Sequence, residues 1–421
     1  MNLKEELAYL KKTAFLFPGQ GSQYVGMGKK LFDQFPIAKQ TFEEANEELG
    51  FNLTSLCFEG TVEELQKTAY TQPAILTHSV AAYRVFMQEV GVHPHYMAGH
   101  SLGEITALTC SGSIAFSDAV KLVHKRGTFM QNAVAQGVGA MSAISDVDAQ
   151  IVKEVCKEIA PDSHEVVISN YNSPNQTIIS GTVKAVENAE HKLQQQGANV
   201  FRLNVSAPFH CSFMKEAAQE LEAELSQLSF FGMKFPIVSN IDAVPYSGSE
   251  EIVHHLTAQM VLPVQWSNTM SYLIKQGVDT FIELGPSHVL RNMMRKTFPE
   301  ATSFAYDMEE DAKAVRELFQ SVTYPCFVSR CLTIAVCTKN NNWNQEKYQE
   351  GVITPYRRVQ TMLQEIKERG ETPTLDQKRY ALEMLRSVFI TKRTPASEQQ
   401  ARFRQLYVET NDIEMLSEAG I

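Results

Sequence analysis

The chain has 421 residues, a formal net charge of −10, 44% hydrophobic residues and 20% charged residues. That is the composition of a globular protein long enough for two or three domains. The negative balance argues against nucleic acid or an anionic membrane surface as partners of the whole molecule. No apolar run reaches the length that spans a bilayer. Seven cysteines at scattered spacing do not form a disulfide framework. The charged start, residues 1–7, lacks an apolar signal core, so a cytoplasmic location is expected.

Residues 1–11 read as a short polar helix or a leader. Thr13-Ala14-Phe15-Leu16-Phe17 is a compact apolar strand. It runs into Pro18-Gly19-Gln20-Gly21-Ser22-Gln23, a tight turn that depends on glycine. Helical segments follow to about residue 90. Residues 94–98 read as a short buried strand, and helices run on from Glu104 to about 135. The texture changes near Gly137-Val138-Gly139-Ala140. From 140 to 205 the expected order is strand, helix, strand, strand, helix, strand, the signature of a ferredoxin-like unit, read here as a subdomain inserted at 137–205. A helix is expected at about 212–228 and strands at 235–239 and 280–284. The α/β pattern fades after about 305.

The last stretch differs. Residues 324–337 are apolar and hold Cys326, Cys331 and Cys337. Their spacing matches none of the usual zinc pairs, so core cysteines and no metal site are expected. Residues 344–369, 375–392 and 396–409 have helical patterns, punctuated by Thr372-Pro373 and Thr394-Pro395 as helix starts.

Three segments hold residues suited to chemistry. Gly99-His100-Ser101-Leu102-Gly103 is a G-x-S-x-G pattern at a strand-to-helix turn. Such a turn either is an ordinary Gly-Ser turn or lifts a serine hydroxyl towards the first N–H groups of the new helix. A serine nucleophile needs a base. His210, in Ser206-Ala207-Pro208-Phe209-His210-Cys211, follows a strand and precedes a helix; it is either that base or a buried, helix-capping histidine. His100 adjoins the serine and is expected to point elsewhere. Arg126, flanked by apolar residues and followed by Gly127, is either a solvated surface group or an inward clamp for a carboxylate.

Together these segments resemble the malonyl-CoA:acyl carrier protein transacylases. The resemblance runs through Phe17–Gln23, Gly99–Glu104, Arg126-Gly127 with Met130-Gln131, and Ser206–Cys211. Asn170–Pro174, Pro263–Trp266 and Glu283–Pro286 extend it. It covers about residues 12–305. It implies an α/β fold: an α/β-hydrolase-like core at 12–136 and 206–305 with the ferredoxin-like insertion at 137–205. Residues 306–421 lie outside it and read from their pattern as a mainly helical extension of unassigned role.

The same resemblance implies Ser101 as nucleophile and His210 as base, with no acidic third member. The backbone carbonyl of Gln259 would orient the histidine. The N–H groups of Gln20 and Leu102 would form the oxyanion hole. Arg126 would pair with the malonyl carboxylate, and Met130 and Asn172 would line the pocket. The implied partners are malonyl-CoA and an acyl carrier protein, by a ping-pong route through a malonyl-serine ester. The CoA thioester is a substrate, and no cofactor is implied. Phe209, next to the histidine, is expected to disfavour an α-methyl branch by roughly 1–3 kcal/mol. The rival reading is a thioester hydrolase of the same fold acting on neutral acyl chains.

Overall fold

The computed structural model describes residues 11–135, 137–161, 165–205, 207–320, 324–412 and 415. Residues 1–10 of the expected leader and Ser206 lie outside the described residues. One compact unit spans Lys11–Gln320, and a second takes up the described residues from 324 onward.

Among the described residues the strands are β1 (Thr13–Phe17), β2 (Tyr96–Gly99), β3 (Gly139–Ser145), β4 (Val166–Ser173), β5 (Gln176–Thr182), β6 (Asn199–Arg202), β7 (Ile237–Val238), β8 (Thr280–Glu283) and β9 (Thr302–Ala305). The helices that bear on the site are α1 (Thr68–Glu89), α2 (Leu102–Cys110), α3 (Phe116–Asn132), α4 (Ala149–Ile159), α5 (Val183–Gln195), α6 (Ile252–Gln259), α7 (Val289–Thr297) and α8 (Glu309–Gln320).

Every residue of β1 is buried. A continuous apolar run of this kind suits the middle of a parallel sheet covered on both faces. β1 takes that place in a five-stranded sheet of order β7-β2-β1-β8-β9, in which all neighbours are parallel. The carboxyl ends of these strands form one rim, and the turn after β2 carries Ser101 there.

The region 137–205 folds as expected in element order. β3, α4, β4, β5, α5 and β6 follow one another. Their strands form an antiparallel sheet of order β4-β5-β3-β6. Ile144, Val152, Val155, Val186, Ala189 and Leu193 fill the space between sheet and helices. A bridge between Asn170 and Val264 ties this sheet to the rest of the unit. Its two bonds, Tyr171 N–H to the Val264 carbonyl and Val264 N–H to the Ser169 carbonyl, are both 2.9 Å. That bridge sets the position of Asn172.

The chain departs from the expected boundaries in three places. The strand expected at 235–239 is only the pair Ile237–Val238, an edge strand beginning after Pro236. β9 was not expected; it is four residues long and exposed at its first position. The first unit also runs past 305. Asp307 accepts bonds from the Tyr24 hydroxyl and the Ser287 N–H, both 2.8 Å. Asp311 pairs with Arg291 at 2.8 Å, and Tyr306 packs edge-on against Phe86. Residues 306–320, assigned from the pattern to the extension, therefore belong to the unit that carries the site.

The second unit contains α9 (Phe327–Cys337), α10 (Thr354–Glu368), α11 (Leu375–Lys392) and α12 (Ala396–Thr410). Phe327, Cys331, Val359, Leu385, Phe389 and Leu406 are among its buried residues. A capping box of Thr374 and Gln377 starts α11, two residues beyond the Thr372-Pro373 pair. Pro395 precedes α12 as expected. Cys331 is buried and Cys326 partly so, but Cys337 is exposed, so only part of the core expectation applies. No described helix is long and apolar enough to cross a membrane.

Candidate active site

The turn after β2 is built by two glycines. A Cβ on Gly99 would meet the Gly103 carbonyl at 1.9 Å, and one on Gly103 would meet the Phe17 oxygen at 2.0 Å. Strand and helix approach too closely for any side chain at either position. Between them Ser101 adopts φ 52° and ψ −108°, outside the usual range for an L-residue. Asn240 clamps the turn: its Oδ1 accepts from Ser101 N–H and its Nδ2 donates to the Gly99 carbonyl, both at 2.7 Å.

The Ser101 hydroxyl lies 2.8 Å from His210 Nε2. His210 Nδ1 lies 2.7 Å from the backbone carbonyl of Gln259. Because a carbonyl can only accept, Nδ1 carries the hydrogen, and Nε2 presents its lone pair to the serine. Burial, reinforced by the Arg126 charge, pushes the His210 pKa down to about 3. The imidazole is therefore neutral near pH 7. His210 is also held at positive φ, 57°.

Arg126 points inward and is 1% exposed. Its Nη1 donates to Gln72 Oε1 and its Nη2 to Gln259 Oε1, each at 2.8 Å. Nη2 also lies 3.2 Å from the Ser101 hydroxyl. Its Nε–H has no protein partner. Burial lowers its pKa to about 10, which leaves the guanidinium charged. Gly127 explains the inward pose: a Cβ there would meet the Thr68 carbonyl at 2.4 Å, so α3 lies hard against the start of α1.

A cavity of about 390 Å³ opens on this group. Gln20, Ser101, Leu102, Arg126, Met130, Asn172, Phe209 and His210 all line it. Leu102 is the first residue of α2, where N–H groups lack intrahelical partners. Met130 receives a bond from Gln72 Nε2 at 3.3 Å, so Gln72 spans Met130 and Arg126. Phe209 is 6% exposed and donates its N–H to Met141 Sδ. Gln259 stands behind the cavity. His100 also lines the cavity. Its Nε2 lies 2.9 Å from Asn172 Oδ1, and its ring meets Trp266 edge-on.

Three groups at the site carried no signal strong enough to be picked out of the sequence, Gln72, Asn240 and Tyr246, and Glu104, which closes the Gly99–Glu104 motif, was given no role. Gln72 is a polar residue in the mostly apolar stretch 71–82, and Glu104 directly follows the glycine turn; these are the hints the sequence offers. Glu104 is 1% exposed. Burial pushes its pKa up to about 7, against the pull of bonds from Tyr246, Gln259 and Asn240. Among the described residues no group of three or more His, Cys, Asp or Glu side chains is arranged to hold a metal ion.

Comparison with known proteins gives one consistent family. Residues 14–323 match the acyl transferase domain. The malonyl CoA-acyl carrier protein transacylase of Bacillus subtilis is 46% identical over 287 residues, 68% of this chain and 72% of that one. The Escherichia coli K12 protein of the same name is 43% identical over 310 residues, 73% of this chain and 100% of that one. The solved transacylase of Coxiella burnetii is 38% identical, with a TM-score of 0.72, covering 74% of this chain and 99% of that one. A malonyl-transacylase solved in complex with its type II polyketide synthase acyl carrier protein is 40% identical, with a TM-score of 0.71, covering 73% of this chain and 99% of that one. The chain belongs to the malonyl-CoA:acyl carrier protein transacylase family of acyl transferases.

Proposed function

We propose that the enzyme moves a malonyl group from malonyl-CoA, through an ester on Ser101, to the phosphopantetheine thiol of an acyl carrier protein in fatty-acid or polyketide synthesis. The observation that carries this reading is the buried, charged Arg126 3.2 Å from the serine hydroxyl. A hydrolase of neutral acyl chains has no use for a buried cation, which is costly when unpaired.

In the first half-reaction the Ser101 oxygen attacks the thioester carbonyl as its proton passes to His210 Nε2. The Gln259 carbonyl keeps the ring in the accepting tautomer and steadies it once protonated. Negative charge gathers on the former carbonyl oxygen, where the N–H groups of Leu102 and Gln20 act as donors. Collapse breaks the carbon–sulfur bond, CoA leaves as the thiol with the proton from His210, and malonyl-Ser101 remains. In the second half the carrier's thiol gives its proton to His210 and attacks the ester, and the Ser101 oxygen takes the proton back. Throughout, Arg126 holds the free carboxylate and so fixes the carbonyl against Ser101. Met130, Asn172 and Phe209 bound the acyl chain. Side chains and main-chain N–H groups supply each role, so the reaction is read as needing no cofactor.

The fold suits this use. We read the parallel unit as an α/β-hydrolase-like core and residues 137–205 as a ferredoxin-like insertion, whose bulged β4 brings Asn172 over the cavity. Seven unpaired cysteines accord with a cytoplasmic enzyme. The direct test is mass spectrometry of the protein mixed with malonyl-CoA. A malonyl adduct on the peptide containing Ser101, absent in Ser101→Ala, is expected; no adduct, or one on another residue, contradicts the assignment.

A further inference from the structure

Glu104 lies three residues beyond the nucleophile, in the first turn of α2. The bonds that reach its carboxylate all come from donors. The Tyr246 hydroxyl donates at 2.6 Å, Gln259 Nε2 at 2.5 Å, and the Asn240 N–H at 3.3 Å to each oxygen. The two N–H donors can play no other part. Glu104 thus presents a fixed acceptor to one end of the Gln259 amide.

That amide has two unlike ends. With Nε2 turned to Glu104, Oε1 is turned to Arg126 Nη2 at 2.8 Å. The reversed amide would set NH2 against the guanidinium, donor facing donor. Gln259 Nε2 also reaches the Ser101 carbonyl at 3.1 Å, a second acceptor on the same side. The main chain of Gln259 has a separate task, holding His210 Nδ1. One residue therefore serves two paths: its backbone serves the proton, its side chain the cation.

We propose that Glu104 is a positioning residue for the carboxylate of the acyl group: it sets the sense of the Gln259 amide, and through that amide it holds the Arg126 fork facing the cavity. This rests on the reading of Arg126 as the malonyl partner. Glu104 does not line the cavity and has no contact with the Ser101 hydroxyl. What it supplies is an acceptor at a fixed place, so an uncharged acceptor of the same shape serves the same purpose. Removing the acceptor takes away the shortest bond of Gln259 Nε2 and leaves it the Ser101 carbonyl at 3.1 Å and Asn240 Oδ1 at 3.5 Å, so the amide, and the Nη2 side of the guanidinium that it holds, is less tightly fixed. The resulting loss falls on acyl groups that carry a carboxylate more heavily than on those that do not. A carboxylate that only held the turn together would affect both alike.

The test is acylation of the full-length enzyme by malonyl-CoA and by acetyl-CoA, read as the ratio of the two kcat/KM values. Glu104→Leu and the more pliable Glu104→Met are made alongside Glu104→Gln and Arg126→Ala, with thermal melting to establish folding. In the Leu and Met variants the ratio should fall by about tenfold or more, with a raised KM for malonyl-CoA, the scale of one lost bond to a charged group. In Glu104→Gln, whose carbonyl can face Gln259 and whose NH2 can face the Tyr246 oxygen, the ratio should stay within about threefold of the parent. Parallel loss on both thioesters, or a fall in Glu104→Gln as large as in Glu104→Leu, overturns the proposal. If Arg126→Ala leaves the ratio intact, the reading of Arg126 itself has failed. If Arg126→Ala collapses the ratio and Glu104→Leu does not, only the role of Glu104 has failed.

Discussion

The unit of residues 11–320 and the helical unit that follows bury different kinds of group. Around the cavity the first unit buries an arginine, a glutamate, a histidine and side-chain amides: Arg126, Glu104, His210, Gln259 and Asn240. The buried set of α9–α12 is dominated by Phe, Val, Leu and Ile. Its buried cation, Lys392, is spent on helix ends, donating to the carbonyls of Ala335 at 2.7 Å and Thr338 at 2.8 Å. Polar burial of the second kind completes hydrogen bonding that folding leaves open. Polar burial of the first kind is costly and adds little to packing. It is accompanied by strained backbone at Ser101 and His210. Such costs collect where chemistry is done. The match to the acyl transferase domain, residues 14–323, ends before α9 begins at Phe327.

That contrast is sharpest at His210. His210→Ala should lower acylation of Ser101 by about 10⁴-fold or more, as loss of the base does in nucleophile–base pairs; a loss below tenfold would mean that another base serves. The same residue sets a pH expectation. Its folded pKa is depressed to about 3, so the neutral, proton-accepting form persists well below the ordinary histidine range. The kcat/KM for acylation, which reports the free enzyme, should therefore show no histidine-type fall between about pH 7 and pH 5. A fall centred near the usual histidine value that persists in Glu104→Gln, and so does not come from the carboxyl held up to about 7, would show that burial and Arg126 do not hold the ring neutral.

Phe209 tests the wall of the cavity. Phe209→Ala should improve the use of methylmalonyl-CoA relative to malonyl-CoA by about tenfold, within the 1–3 kcal/mol that one methyl group usually allows. An unchanged preference would leave Phe209 as packing alone.

Lys392 tests the other unit. Lys392→Met keeps the stem and removes the donors, so the α9–α12 unit should lose about 1–3 kcal/mol of stability in denaturant unfolding. Malonyl transfer per folded molecule should not change; a change in transfer would break the separation drawn between the units.

Much of the site was legible because its residues sit in local patterns. The glycines around Ser101 mark a close strand–helix approach, and Gly127 marks one beside Arg126. The region 137–205 was legible from the order of its apolar runs. The role foreseen for Gln259 came from family resemblance, since a backbone carbonyl leaves no mark on side-chain pattern. Gln72, Asn240 and Tyr246 were not legible, nor was the role of Glu104, which the motif contained. The four come from three stretches of chain, around 72, 104 and 240–246, and each alone is only a polar residue near apolar ones. β9 escaped because four residues, one of them exposed, give no usable period. The boundary set at 305 rather than 320 had the same cause: the bonds of Asp307 and Asp311 reach back to Tyr24, Ser287 and Arg291.

The central claim is that a buried cation selects a carboxylate-bearing acyl group for Ser101. Offering malonyl-CoA and acetyl-CoA together in equal amounts, then weighing the acyl group on the Ser101 peptide, tests it directly. The parent enzyme should carry malonyl, and Arg126→Ala should carry acetyl in its place or a mixture without preference. Malonyl predominating equally in both proteins would contradict the account.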